Sequence, residues 1–87
     1  MDNQHRKISG YRELSQTEID LMNEIKAKGA ELGEIIAKVK SSPLNEPDAA
    51  AYFWFETERE RWSSDAATTL QTGIMQLVRA VALPKGF

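Results

Sequence analysis

A break at residues 41–47 divides this chain of 87 residues into two long stretches with helical periodicity, and it limits the fold more than any other feature. Pro43 and Pro47 lie within the break, and proline interrupts a helix because it lacks a backbone N–H. No stretch alternates between apolar and polar residues as a half-buried strand does. The sequence therefore predicts one all-α domain over residues 1–87, with an N-terminal arm or short helix at 1–15 and a long two-helix antiparallel hairpin.

The first predicted helix covers about residues 16–40. Ser15 and Glu18 fit a capping box, in which the Ser15 hydroxyl accepts a bond from a free backbone N–H and the Glu18 carboxylate reaches back to the start of the helix. Apolar residues and one glycine then follow a three-four spacing that suits packing against another helix. They are Met22, Ile25, Gly29, Leu32, Ile36 and Val39.

The second predicted helix covers about residues 47–83. Pro47 takes the first helical position, and Pro84 and Gly86 end the helix. Its apolar residues fall into two rows on different faces. The main row is Phe55, Trp62, Ala66, Leu70, Ile74, Leu77 and Val81, and the second row is Ala67, Met75, Val78 and Ala82.

Two apolar rows on one helix require cover on two sides. The first helix of the hairpin covers only one of them, and the four consecutive aromatic residues at 52–55 point all round the axis. A chain of this length also gains only ~3–5 kcal/mol from a single core. We therefore expect a homo-oligomer in which copies of the chain cover the remaining apolar surface.

Composition excludes several classes of partner. The 11 Lys and Arg residues nearly balance the 13 Asp and Glu residues, and no basic stripe of the kind that grips a polynucleotide is present. Without cysteine, the chain forms no disulfide and no thiolate metal site. No signal peptide is visible and no apolar stretch approaches the ~20 residues that span a bilayer, so we expect no membrane partner.

Motifs for catalysis are also missing from the sequence. His5 is the only histidine, which leaves no two-histidine zinc motif and no Ser–His catalytic arrangement. There is no glycine-rich phosphate loop. The alternating Glu and Arg residues at 56–61 are more typical of a solvated helix face with paired charges than of an acid–base cluster. We therefore expect a protein that is not an enzyme and holds no metal and no cofactor.

Tyr11 is the first candidate for ligand contact. It follows Gly10 in the arm, just ahead of the first helix, and an exposed aromatic ring there can stack on a base with ~1–3 kcal/mol per contact. The alternative is that the ring seals the arm onto the helix, with its hydroxyl in water. His5, Arg6, Lys7 and Arg12 can add positive charge beside it, or form a solvated basic arm.

Lys26 is the second candidate. It shares a helix face with Met22, Gly29 and Gly33, and two glycines inside a helix each cost ~1 kcal/mol relative to alanine. Such a cost usually permits the close approach of a partner backbone or a flat ligand. A lysine above this notch can reach a phosphate through a charge-assisted bond; the alternative is an ordinary surface lysine.

Symmetry favours one ligand class for these residues. If two protomers meet with their arms facing, each contributes one Tyr11 and one Lys26 to a shared pocket, whose natural ligand is itself roughly two-fold symmetric. A cyclic dinucleotide has two bases and two phosphates. Thr68 and Thr72 can line a second polar pocket around an oligomer axis, or simply bond the carbonyl of residue i−4.

Three segments carry a resemblance: residues 5–15 (HRKISGYRELS), 21–33 (LMNEIKAKGAELG) and 70–82 (LQTGIMQLVRAVA). They are similar to the phage anti-CBASS cyclic-oligonucleotide sponge family. The resemblance implies a compact homohexamer that acts in the cytoplasm of the infected bacterial host. It would sequester cyclic dinucleotides, such as 3',3'-cyclic GMP-AMP, without cleaving them and thereby block CBASS antiphage signalling.

The same resemblance implies roles for individual residues. Tyr11 would stack on a base and Lys26 would hold a phosphate, in a pocket shared by two protomers. A second site for cyclic trinucleotides would lie around a three-fold axis formed by the second helix. An arginine expected near residues 62–68 is absent there, and Arg61 with Thr68 or Thr72 stands in its place.

Two alternative functions remain open from the residues themselves. One is a small helical oligomeric adaptor that binds a protein partner through the aromatic cluster at 52–55. The other is an enzyme that degrades the same cyclic nucleotides. The first predicts no nucleotide binding, and the second predicts that the ligand is chemically altered.

Overall fold

Two long antiparallel helices make up the part of the protein that the computed structural model describes, residues 12–85. Helix α1 covers Gln16–Ser41 and helix α2 covers Ala49–Ala82, and no strand occurs among the described residues. The predicted all-α hairpin is therefore confirmed. Most of the predicted arm, residues 1–11, lies outside the described residues.

The capping box at the start of α1 has both of its bonds. The Glu18 backbone N–H donates to the Ser15 hydroxyl at 3.2 Å, and the Ser15 N–H donates to the Glu18 carboxylate at 2.9 Å. Lys38 and Lys40 occupy the last turn, where positive charge complements the negative end of the helix dipole. These local signals explain why α1 begins where the sequence predicts and ends only one residue later.

The start of α2 differs from the prediction. Asp48 is the N-cap, because its carboxylate accepts the Ala51 backbone N–H at 2.8 Å. Pro47 therefore precedes the helix and does not occupy its first position. At the other end, Leu83 turns into the left-handed region with a φ of 44°, and Pro84 follows it and prevents continuation.

The apolar seam of α1 packs against α2. Five of its six predicted members are half-buried, while Val39 near the end of the helix is exposed. The Ile74 side chain lies over Gly29, 3.5 Å from where a glycine Cβ would be placed. This contact fixes the middle of the hairpin.

The predicted main row of α2 is mostly wrong. Of its seven members, only Ile74 and Val81 are half-buried; Trp62, at 60% exposure, faces solvent. The row that faces α1 is formed by smaller side chains, because these allow the two backbones to approach. It contains buried Ser63 and half-buried Ala67, Ile74, Val78, Val81 and Ala82.

An ion pair and several hydrogen bonds join the open end of the hairpin. The Arg12 guanidinium donates to the carbonyls of Ala82 at 3.0 Å and Val81 at 2.9 Å, which are the last residues of α2. It also pairs with the Glu18 carboxylate of the α1 capping box. A cation at these carbonyls complements the negative end of the helix dipole. We refer to these contacts as the Arg12–Glu18 clasp.

The hairpin has no hydrophobic core of its own. No apolar side chain among residues 12–85 is fully buried. The radius of gyration is 19.3 Å, whereas a compact domain of this length has one of about 12 Å. Neither described helix contains an apolar stretch long enough to cross a membrane.

The clasp predicts a specific acid sensitivity. Hydrogen bonds from Arg12 and from the Ser15 N–H lower the pKa of Glu18 from 4.5 to about 2. Because the folded-state pKa lies below the ordinary value, the stabilisation by Glu18 is fully present above pH 4.5 and is lost as the pH falls toward 2. We expect Glu18→Gln to lower Tm by about 5 °C at pH 7 and to have little effect near pH 2.

Thermal unfolding followed by circular dichroism at both pH values measures this difference. Glu31→Gln is the matched control, since Glu31 forms an exposed ion pair with Lys28 on the same helix at 3.5 Å. Such pairs contribute little to stability. An equal loss of Tm in the two variants at pH 7, or a Glu18→Gln effect that persists unchanged at pH 2, would contradict the role of the clasp.

Candidate functional site

An open groove of about 510 Å³ runs between α1 and α2 along the middle of the hairpin. Its walls are mostly apolar. Its volume falls within the range of about 300–1,000 Å³ that is typical of small-molecule sites. It is lined by Lys26, Gly29, Leu32, Gly33 and Ile36 from α1, and by Ala67, Leu70, Gln71, Ile74 and Met75 from α2.

Lys26 is the ionisable residue of this lining. Its ammonium forms no ion pair with any residue in 12–85, whereas Lys28 pairs with Glu31 at 3.5 Å and Lys40 pairs with Glu60 at 3.4 Å. An exposed, unpaired cation at the edge of an apolar groove is available to an anionic ligand. Lys26 therefore differs from Lys28 and Lys40 in its surroundings, and its role in ligand binding stays a prediction.

The two glycines of α1 have different surroundings. Gly29 faces Ile74 of α2, and a Cβ at this position would meet the Ile74 side chain at 3.5 Å, an ordinary van der Waals distance. Gly33 has no atom within 4 Å of the position that a Cβ would take, and it lines the groove. Glycine makes a helix less stable than alanine does, and no contact within residues 12–85 explains why position 33 carries glycine.

Two groove residues were missed from the sequence. Gln71 contributes a carboxamide, which can both donate and accept hydrogen bonds, and Met75 contributes a flexible apolar side chain. Met75 is 71% exposed, a high value for a large apolar side chain. The sequence analysis placed Met75 in the second apolar row of α2. The groove would have been predicted if this row had been matched with the face of α1 that carries Gly29 and Gly33.

Other residues predicted at the first site fall in different places. Tyr11 and Gly10 lie outside the described residues. Met22 is half-buried between the helices and does not line the groove. Arg12 belongs to the clasp, where its guanidinium bonds with two carbonyls and one carboxylate.

The residues predicted for a second site share one face of α2. Arg61 pairs with Glu58 at 3.7 Å and lies 4.9 Å from the Trp62 ring centroid. The Thr68 hydroxyl donates to the Ser64 carbonyl at 3.3 Å, which is the local backbone bond that threonine often makes in helices. Thr72 is exposed, and Asp65 lies on the same face between Arg61 and Thr68, because 3.6 residues complete a turn.

A polar pocket of about 460 Å³ lies near the hairpin turn and contains Lys40 and Arg59. Both cations are already engaged: Lys40 pairs with Glu60, and Arg59 donates to the Ser42 carbonyl. Within residues 12–85, no group of three His, Asp or Glu side chains is arranged to hold a metal ion. The groove with Lys26 is therefore the better candidate for ligand binding.

The fold and the groove define a helical-hairpin protein that presents an open, ligand-sized cleft with a cation at its edge. The chain belongs to the Acb2/Tad1 hairpin-domain family, whose model matches residues 5–82. Anti-CBASS protein 2 of Pseudomonas phage JBD67 is 44% identical to this chain over an alignment of 107 positions, which covers 99% of each chain. The predicted relationship to the phage anti-CBASS family is confirmed, and the adaptor alternative gains no support from these comparisons.

Proposed function

We propose that this protein sequesters cyclic dinucleotides of the 3',3'-cyclic GMP-AMP type without cleaving them and thereby blocks CBASS antiphage signalling. It would act in the cytoplasm of the infected bacterial host. The observation that carries the proposal is Lys26, which has no ion-pair partner within residues 12–85, at the edge of an apolar groove with an open glycine notch. The similarity to a phage protein named for its action against CBASS supports the part of the proposal that concerns CBASS.

The chemistry of the groove suits a nucleotide. The faces of a base are flat and apolar, and they can lie against the Gly33 notch and the Met75 side chain. The Gln71 carboxamide can bond with a base edge, because it offers both donors and an acceptor. The Lys26 ammonium then provides a charge-assisted bond to a phosphate oxygen.

A cyclic dinucleotide requires two such half-sites. In our proposal two protomers place their grooves around one ligand, so that each Lys26 serves one phosphate and each Tyr11 stacks on one base. The absence of fully buried apolar side chains in residues 12–85 supports association of the chain with itself. We propose a compact homohexamer, in which three such pairs assemble.

Binding without cleavage is part of the proposal, and the described lining of the groove supports it. Lys26 is the single ionisable side chain in the described lining, so this groove offers no acid–base pair for phosphodiester hydrolysis. Inhibition would then depend on mass action: the protein lowers the free concentration of the signal below what an effector needs. Such a protein must be abundant and bind tightly.

A second site for cyclic trinucleotides is also part of the proposal. It would use Arg61, Thr68 and Thr72 from the same face of α2 in several copies of the chain. Asp65 on that face places a carboxylate near any bound phosphate, which weakens binding through like charge. We therefore expect cyclic trinucleotides to bind more weakly than cyclic dinucleotides.

The proposal is tested by binding and recovery of the ligand. Isothermal titration calorimetry with 3',3'-cyclic GMP-AMP should show tight binding with one ligand per two protomers. After heat denaturation of the protein, mass spectrometry of the released ligand should show it intact. The absence of binding would overturn the proposal in favour of the adaptor, and a linearised ligand would overturn it in favour of an enzyme.

A further inference from the structure

The Arg12 guanidinium is almost fully occupied by contacts within its own chain. Its Nε donates to the Ala82 carbonyl at 3.0 Å, and one Nη donates to the Val81 carbonyl at 2.9 Å. Both Nη atoms also donate to the Glu18 carboxylate. These bonds use most of the N–H donors that a guanidinium offers. Arg12 is therefore poorly placed to hold a phosphate at the same time.

The clasp also lies apart from the groove. Arg12 does not line the groove, whose last residue along α2 is Met75. Val81 follows Met75 by six positions, which corresponds to about 9 Å along the helix axis. The guanidinium, bonded to the Val81 carbonyl, is therefore more than one turn beyond the end of the groove. Direct contact between Arg12 and a ligand in the groove is not supported by this distance.

The clasp instead anchors the chain just ahead of α1. Arg12 and Ala82 are 70 positions apart in the sequence, so their hydrogen bond ties the segment before α1 to the end of α2. The capping box at Ser15 fixes the other end of this short segment. The residue that precedes Arg12 in the chain is Tyr11, which lies outside the described residues and is proposed to stack on a base.

Anchoring of a ligand-binding segment has a known energetic consequence. Fixing the backbone of one residue lowers an equilibrium constant by a factor of roughly 5 to 30. When the segment is unanchored, this cost falls on the binding step. When the segment is already held by the fold, the cost falls on folding, and the ligand binds more tightly for the same contacts.

We propose that Arg12 and Glu18 are positioning residues for ligand binding, because the clasp anchors the segment from which Tyr11 reaches the base. This inference rests on the proposed function, since it concerns the same ligand and the same stacking residue. Neither Arg12 nor Glu18 touches the ligand in this arrangement. Arg12, which the sequence grouped with the ligand-binding residues, thus acts on the site through Tyr11.

The substitution Glu18→Ala distinguishes positioning from direct contact by the sign of its effect. If the clasp anchors the segment, this variant should weaken the binding of 3',3'-cyclic GMP-AMP by about 5- to 30-fold, in the same direction as Arg12→Ala. If Arg12 itself held a phosphate, loss of the carboxylate would release the guanidinium, and binding would be unchanged or tighter. Isothermal titration calorimetry measures the affinities, and native mass spectrometry verifies that the oligomer persists.

A double-mutant cycle with Tyr11→Ala tests whether the effect passes through the tyrosine ring. Once the ring is removed, the anchoring of its segment no longer contributes to binding. Arg12→Ala should therefore weaken the Tyr11→Ala protein by less than about twofold, although it weakens the wild type more strongly. A purely structural role of Arg12 would produce the same loss in both backgrounds.

Ser15→Ala is the matched control for helix stability. It removes the hydroxyl that accepts the Glu18 backbone N–H at 3.2 Å, which destabilises α1, but it leaves the bonds from Arg12 in place. We expect its affinity to stay within about twofold of the wild type.

Three results would overturn the inference while leaving the proposed function intact. They are a Glu18→Ala variant that binds as tightly as the wild type, a Ser15→Ala variant that loses as much affinity as Glu18→Ala, and additive losses in the cycle of Arg12 and Tyr11. A wild type that does not bind 3',3'-cyclic GMP-AMP would overturn the proposed function and this inference together.

Discussion

Lys26→Ala is expected to weaken the binding of 3',3'-cyclic GMP-AMP by roughly 10- to 100-fold. The ammonium lies at the edge of an apolar groove and has no ion-pair partner within residues 12–85. A hydrogen bond to a charged group contributes about 1.5–3 kcal/mol, and 1.4 kcal/mol corresponds to a factor of ten. Tyr11→Ala should weaken binding by a similar factor, because it removes a stacking contact of ~1–3 kcal/mol.

Lys28→Ala is the control for charge alone. Lys28 lies on the same helix and pairs with Glu31, but it does not line the groove. Calorimetry of both lysine variants, with native mass spectrometry to verify the oligomer, measures the effect. If Lys26→Ala binds as tightly as Lys28→Ala, the groove is not the phosphate site. The salt dependence of the wild type should also be lost in Lys26→Ala.

Gly33→Ala is expected to stabilise the protein and at the same time to weaken ligand binding. Nothing lies within 4 Å of the added Cβ, so the alanine fits the hairpin without strain. Alanine is favoured over glycine inside a helix by about 1 kcal/mol, which raises Tm by about 4–8 °C in a domain of this size. The methyl group occupies the groove notch, and overpacking of this kind costs 1–3 kcal/mol, or roughly 5- to 140-fold in affinity.

Gly73→Ala separates the two effects. Gly73 is also inside a helix and has no atom within 4 Å of a Cβ, but it does not line the groove. Thermal unfolding should show a similar gain in Tm for both variants, while calorimetry should show a loss of affinity for Gly33→Ala alone. Equal affinities in the two variants would mean that the ligand does not approach Gly33.

The opposite signs expected for Gly33→Ala connect stability with function. A helix former at this position would make a better hairpin, and the chain nevertheless carries glycine. The exposed aromatic residues at 52–55 follow the same pattern, since exposed apolar side chains do not stabilise an isolated hairpin. In our proposal the glycine exists for contact with a ligand, and the aromatic residues suit the association of the chain with itself that the sequence predicts.

Local signals were sufficient to predict where the helices lie. The Ser15 capping box needs only residues three positions apart, and both of its bonds are present. The start of α2 was missed by two residues, because Pro47 and Asp48 are both acceptable near a helix start and only the bond from Ala51 to Asp48 distinguishes them. The interior of each helix followed from periodicity alone.

Long-range geometry was less accessible from the sequence. Both apolar rows of α2 are compatible with a helical period, and the choice between them depends on how closely the two backbones approach. The row with Ser63 and Ala67 faces α1 because small side chains permit that approach, which leaves Trp62 in solvent. Arg12 was predicted to contact ligand, but its contacts with Val81 and Ala82 span almost the whole chain and could not be read from spacing.

The amino-acid sequence by itself determined the helical hairpin and the family, because capping, periodicity and short motifs act over a few residues; Lys26 stays a prediction. Tertiary structure alone decided which face of α2 is covered and which glycine opens into a groove. These features depend on the register of two helices whose contacting residues are far apart in the chain. Register is set by packing summed over the whole interface, and no short segment contains that information.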